Sequence, residues 1–155
     1  MFRLRSFQSD DAAAIWRLHD AALDDAGVHG GHGPWEDDLR DIAATYLEPG
    51  GEFLVGLAGV ELVGMGGLLR HTSEQAEIKR MRVHPELQRR GLGRQILEEL
   101  EARAQAHGYR EIRLDTTEGQ VAARRLYEGA GYRETGRRRQ GRFLFIDYRK
   151  PLGPG

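Results

Sequence analysis

A strand, a glycine–arginine turn, a long helix and a second strand follow one another between Glu77 and Asp115. This run constrains the fold more than any other. Glu77 to Val83 reads as a strand, and His84-Pro85 ends it, because proline has no N–H for a ladder. Leu92, Ile96, Leu97, Leu100 and Ala104 mark one face of a helix that His107-Gly108 closes. Glu111 to Asp115 follows as a strand with Ile112 and Leu114 apolar. Two strands joined through a helix pair in parallel with a right-handed crossover. A purely antiparallel or all-helical fold is thereby excluded.

The flanking segments fill in the rest. Phe2-Arg3-Leu4-Arg5 alternates as a first strand. Ser9-Asp10-Asp11 is a helix N-cap with acids in the first turn, followed by Ile15, Leu18, His19 and Ala22 at helical spacing. The glycine-rich stretch Gly27 to Gly33 breaks that helix. Pro34 opens a second one, with Trp35, Leu39, Ile42, Ala43 and Tyr46 as its apolar stripe. Phe53–Ala58 and Leu62–Leu69 form a hairpin turning at Gly59. Val121–Glu128 is a short helix, and Tyr132–Arg137 and Arg142–Tyr148 are the last strands. The expected class is α/β, with a mixed sheet and the order β-α-α-β-β-β-α-β-α-β-β.

The 155 residues fit one domain, expected over 1–152, with 153–155 as a frayed tail. There is no cysteine, which excludes disulfides and thiolate metal sites and suits a reducing cytoplasm. The first ten residues lack an apolar signal core, and no run approaches the ~18 apolar residues of a membrane span. A cytoplasmic protein without membrane partners is expected. Net charge is −1, which argues against a nucleic-acid partner. Residues 1–60 carry 4 Arg against 11 Asp and Glu, and the remainder carry 19 Lys and Arg against 13 acids. Such polarity suits an enzyme with one cationic and one anionic substrate, and it also suits charges that intermix on folding.

The chemistry concentrates in Gln88-Arg89-Arg90-Gly91-Leu92-Gly93-Arg94. The first N–H groups of the following helix have no intrahelical partner, and the helix dipole favours an anion there. Gly91 and Gly93 let a ligand reach the backbone, and three arginines surround it. A diphosphate fits. The turn is neither a Walker loop nor a dinucleotide fingerprint, since neither glycine pattern is present.

The stretch Glu77-Ile78-Lys79-Arg80-Met81-Arg82-Val83-His84-Pro85-Glu86, together with that turn, resembles the acetyl-CoA motif of the GNAT acetyltransferase superfamily. Ala123-Arg124-Arg125-Leu126-Tyr127-Glu128-Gly129-Ala130-Gly131-Tyr132 is similar to its second motif. The resemblance implies the GNAT acyl-CoA N-acyltransferase fold, acetyl-CoA as co-substrate, and acetyl transfer to a primary amine by direct attack. It implies that Gln88, Arg89, Arg90, Gly91, Leu92, Gly93 and Arg94 hold the cofactor's diphosphate. Main-chain groups of Met81, Arg82 and Val83 would take the thioester oxygen and pantetheine amides, from a strand splayed from its parallel neighbour. Lys79, Arg80 and Arg82 fit poorly on a covered central strand, so a bulge or a wet cleft is expected beside them. Tyr127 matches the family's acid near the CoA sulfur. Glu77, eleven positions before Gln88, matches the base of one branch; Glu118, Asp115 and a water relay remain alternatives. Thr116, Thr117 and Gln120 stand where the family often has an asparagine, so Thr116 and Gln120 are candidate pantetheine contacts.

The resemblance implies that the first two helices and their loop, with the late hairpin, shape the acceptor pocket. His29, His32 and Trp35, amid Asp24, Asp25 and Glu36-Asp37-Asp38, would favour a small cationic amine. A protein or peptide amine, or a non-catalytic acyl-CoA-binding domain, are the alternatives. Two loop histidines without a third ligand give no expected metal site. Arg137-Arg138-Arg139 reads as a solvated hairpin tip. Phe143 and Phe145 read as sheet packing or a dimer seam, leaving monomer or homodimer open.

Overall fold

The computed structural model describes residues 2–27 and 31–153. A seven-stranded sheet has the order β1-β2-β3-β4-β5-β7-β6. Its strands are β1 Arg3–Ser6, β2 Glu52–Ala58, β3 Glu61–Arg70, β4 Gln75–Val83, β5 Glu111–Thr117, β6 Arg133–Gln140 and β7 Phe143–Pro151. All neighbours pair antiparallel except β4 and β5, which are parallel as the crossover requires. One face carries α3 (Leu92–Ala106) and α4 (Val121–Gly129) over Leu54, Leu68, Ile78, Ile112 and Ile146. The other carries α1 (Ala12–Ala26) and residues 34–47 over Phe53, Val55 and Met65. No helix among the described residues is long and apolar enough to cross a membrane.

Two departures in β4 shape the cleft. The first is a bulge. The register with β3 shifts between Met65 and Gly67, and Arg80 adopts φ 60°. That conformation costs a non-glycine residue about 1–3 kcal/mol unless its surroundings impose it. Here they do. The Arg80 guanidinium grips Asp38 through Nε at 2.9 Å and Nη2 at 2.6 Å, and also donates to the Trp35 carbonyl at 2.6 Å. The expected charges on this strand thus sit on a bulge. The second departure is a split. β4 and β5 pair only from Gln75↔Glu111 to Glu77↔Arg113. Beyond that point β4 follows β3 to Val83, while β5 follows β7 to Thr117. The main chain of Met81 to Val83 is left unpaired on its β5 side.

Two expectations are corrected. The second helix is instead a 3-10 turn at Pro34–Glu36, one α turn, α2, at Asp37–Arg40, and a π turn at Ala43–Leu47. Asp41 is extended (φ −147°) and Trp35 is 60% exposed, so no continuous stripe exists. Arg137–Arg139 lie within β6, and the hairpin turns at Gly141, whose φ of 59° suits glycine. In the expected tail, the Gly153 carbonyl accepts a bond from Gln105 at 3.1 Å, and Pro154 and Gly155 lie outside the described residues.

Candidate active site

The Gln88–Gly93 loop lies between a 3-10 turn (Pro85–Leu87) and α3. Arg89 (φ 68°) and Gly91 (φ 86°) are both left-handed, a backbone in which N–H groups converge on an anion. Gln88, Arg89, Gly91, Gly93 and Arg94 line a cavity of about 550 Å³, whose other walls include Val83 and Leu126. Arg90 is exposed and is not a wall residue. The Leu92 side chain is 1% exposed and packs in the core, which leaves only its backbone for a ligand.

A second cavity of about 640 Å³ lies on the α1 side. Glu77, Asp115, Trp35, Phe143 and Phe145 are among its walls. The two cavities share Leu23, Met81, Arg82, Gln120, Ala123 and Tyr127. They meet at the split between β4 and β5.

Tyr127 stands at this meeting point. Its ring is 5% exposed, between those of Tyr132 (6.0 Å) and Tyr148 (6.4 Å). Its hydroxyl makes no hydrogen bond among the described residues. Burial pushes its pKa up to about 12, only partly offset by Arg82, so the phenol is protonated at neutral pH. Gln120 accepts hydrogen bonds from the Thr116 hydroxyl (2.8 Å) and the Thr117 hydroxyl (3.0 Å) and amide (3.2 Å). Thr116 therefore fixes the turn before α4, and Gln120 is the one of the two in both cavities.

Glu77 lines the second cavity and an adjoining groove. Its carboxylate binds His71 at 2.7 Å and faces Arg113 at 3.6 Å. Asp115 lines the same two spaces and pairs with Arg138. Burial first, then the Glu77 charge, raises the Asp115 pKa despite that arginine. Two carboxylates, one with raised basicity, thus line the second cavity.

The expected acceptor residues separate. Trp35 lines the cavity. His32 does not; its ring lies 5.5 Å from Trp16 and its Nδ1 bonds Glu36 at 3.0 Å. His29 lies outside the described residues. Phe143 and Phe145 are not on a sheet edge, because β7 pairs on both sides. They line the cavity 6.4 Å apart, a role that alternation alone does not reveal.

The sequence reading also passes over a buried pair beneath α1. His19 Nε2 lies 2.6 Å from Glu36, and both residues are fully buried. Burial lowers the His19 pKa, outweighing Glu36. Burial would raise that of Glu36, but His19, His32 and the Gly33 N–H together hold it low. Ligand atoms of His19, Asp20 and Glu36 lie within 4.8 Å of one another, the only such metal-capable group among the described residues. The Glu36 carboxylate already serves three partners there.

Residues 14–132 match the profile of the Acetyltransferase (GNAT) family. The chain belongs to the GNAT acetyltransferase family. An acetyltransferase of GNAT family from Staphylococcus aureus Mu50 superimposes with a TM-score of 0.90 at 18% identity, covering 99% of this chain and all of that one. YncA from Salmonella typhimurium, solved with acetyl-CoA, does so at 0.81 and 21% identity, covering 98% and 94%. These likenesses concern the GNAT fold. N-acetylaspartate synthetase of Rattus norvegicus is 34% identical over 105 residues, 64% of this chain and 34% of that protein. Human N-acetyltransferase 8 is 32% identical over 105 residues, 64% of this chain and 46% of that protein. The chain therefore spans between about a third and a half of these relatives' length.

Proposed function

We propose that this GNAT domain transfers an acetyl group from acetyl-CoA to the primary amine of a small molecule, by direct attack in a ternary complex. The observation that carries this reading is the split of β4 from β5 beyond Glu77, where the two cavities share Met81, Arg82 and Tyr127 as walls. The diphosphate would rest on the Gln88–Gly93 amides with Arg89 and Arg94 beside it. The thioester would then reach the split, with its oxygen on the free main chain of Met81 to Val83. That YncA binds acetyl-CoA on this fold supports the assignment.

The amine enters the α1-side cavity, where Glu77, Asp115 and the rings of Trp35, Phe143 and Phe145 favour an ammonium. Glu77 or Asp115 takes its proton, directly or through water. The nitrogen attacks the carbonyl carbon, the C–N bond forms, and the C–S bond breaks. Tyr127 donates a hydrogen bond to the departing sulfur. Its pKa of about 12 lies above the ~8.5 of a thiol, so the proton is shared rather than surrendered, and bulk solvent completes the transfer. The acid read from the motif is thus better described as a hydrogen-bond donor.

The experiment is acetyl-CoA turnover against a panel of small amines, with released thiol as the signal. Turnover on at least one amine is expected. Tight acetyl-CoA binding with no turnover on any amine would leave a non-catalytic acyl-CoA-binding domain instead.

A further inference from the structure

One cation at the meeting of the cavities has no ion-pair partner among the described residues. Arg82 follows the bulge on β4 and pairs in register with Met65, which packs on the α1 side. Its guanidinium makes one hydrogen bond, from Nη1 to the Met81 carbonyl at 2.9 Å. Its Nε is buried without a hydrogen-bond partner among the described residues. No carboxylate pairs with it among the described residues. The neighbouring Arg80, by contrast, is fully engaged with Asp38. Burial and the Arg80 charge push the Arg82 pKa down to about 10, which leaves it charged at neutral pH.

A half-buried guanidinium without an ion-pair partner is destabilising, and its planar array of free donors is built for a carboxylate. The cofactor does not supply one here. Its diphosphate has the loop amides with Arg89 and Arg94, and the pantetheine that runs on to the split is uncharged. The missing anion therefore belongs to the other substrate.

We infer that Arg82 is a subsite for a carboxylate carried by the acceptor, which makes the acceptor an amino acid rather than a simple amine. This rests on the proposed function and narrows it. A carboxylate on Arg82 sets an α-nitrogen beside Met81 and Tyr127, since the α-amino and carboxyl groups are bonded to the same carbon. The ammonium then meets Glu77 and Asp115, and the acceptor's side chain extends toward Phe143, Phe145 and Trp35. The cavity accepts both charges of a zwitterion.

The test compares each proteinogenic amino acid with its amide and its decarboxylated amine as acceptors for the wild-type protein, Arg82→Met and Arg82→Lys. The wild type should prefer the acid over the amide by about 10- to 100-fold in kcat/KM, as a charge-assisted hydrogen bond implies. That ratio should fall toward one in Arg82→Met, whatever its overall rate, and be partly kept in Arg82→Lys. A wild-type preference for amides or decarboxylated amines would overturn the inference while leaving the proposed function intact. So would an unchanged ratio in Arg82→Met accompanied by weaker acetyl-CoA binding, which would assign Arg82 to the cofactor. No thiol release with any amine would remove the proposed function, and this inference with it.

Discussion

At the residue scale, the account places most of its weight on Tyr127 and the two carboxylates. Tyr127→Phe removes one hydroxyl from a site where the ring stays packed between Tyr132 and Tyr148. Turnover should fall about 100-fold, as loss of one positioned hydrogen-bond donor to developing charge does. Acetyl-CoA affinity, measured by calorimetry, should stay within about twofold. Unchanged turnover would end the role assigned to the hydroxyl. The base is resolved by pH profiles of Glu77→Gln and Asp115→Asn. The variant that lacks the base should lose rate at neutral pH and recover it as alkali deprotonates the amine itself. If both profiles match the wild type, proton removal passes to water. How legible were these residues? Tyr127, Glu77 and the Gln88–Gly93 turn stand out because local motifs carry them. Arg82 and the Phe143–Phe145 pair do not. A side chain's lack of a partner is a property of the packed cleft, and alternation along β7 says nothing about which face of the sheet stays uncovered.

Among the elements, the segment 34–47 shows why periodicity alone misled. Leu39, Ile42 and Tyr46 have helical spacing and are all buried, yet the helix breaks at Asp41. Tertiary bonds decide the matter: Asp38 is fixed by Arg80 from β4 and by the Tyr46 hydroxyl at 2.6 Å. The same clamp holds the Arg80 bulge that helps open the cleft. Both partners of the ion pair are only 12% exposed. Asp38→Ala should therefore destabilise the protein by about 3–5 kcal/mol in urea unfolding, because it strands a buried guanidinium. A loss below about 1 kcal/mol would show that the bulge stands without the clamp. The arginine run in β6 was misplaced for a related reason. Arg138 pairs with Asp147 on the adjoining β7 and with Asp115 on β5 beyond it, contacts that sequence proximity does not encode.

For the whole molecule, the parallel crossover and the order of elements along the chain could be read in advance because hydrophobic periods and turn residues agree over long segments. The split between β4 and β5 rested on resemblance, since the hydrophobic pattern of a strand does not say where its pairing stops. The folded chain also carries a definite acid response. His19, Glu36, Asp38 and Asp11 all have pKa values lowered by folding. The unfolded chain therefore binds more protons as pH falls, and stability declines with acidity. Stability from His19 is complete above its ordinary ~6.5 and is lost below it, while the carboxylates act below about 4.5. Asp115 has the opposite sign and softens the fall. Urea midpoints should drop from pH 7 to 5, and His19→Asn should flatten that interval. An unaltered slope in the variant would remove His19 as its source.

All of this turns on where the cofactor lies. A crystal structure with acetyl-CoA decides it directly. The account predicts the diphosphate on the Gln88–Gly93 amides, the thioester oxygen on the free main chain at Met81, and the sulfur within hydrogen-bonding reach of Tyr127. A cofactor bound elsewhere, or one whose sulfur points away from Tyr127, would contradict it.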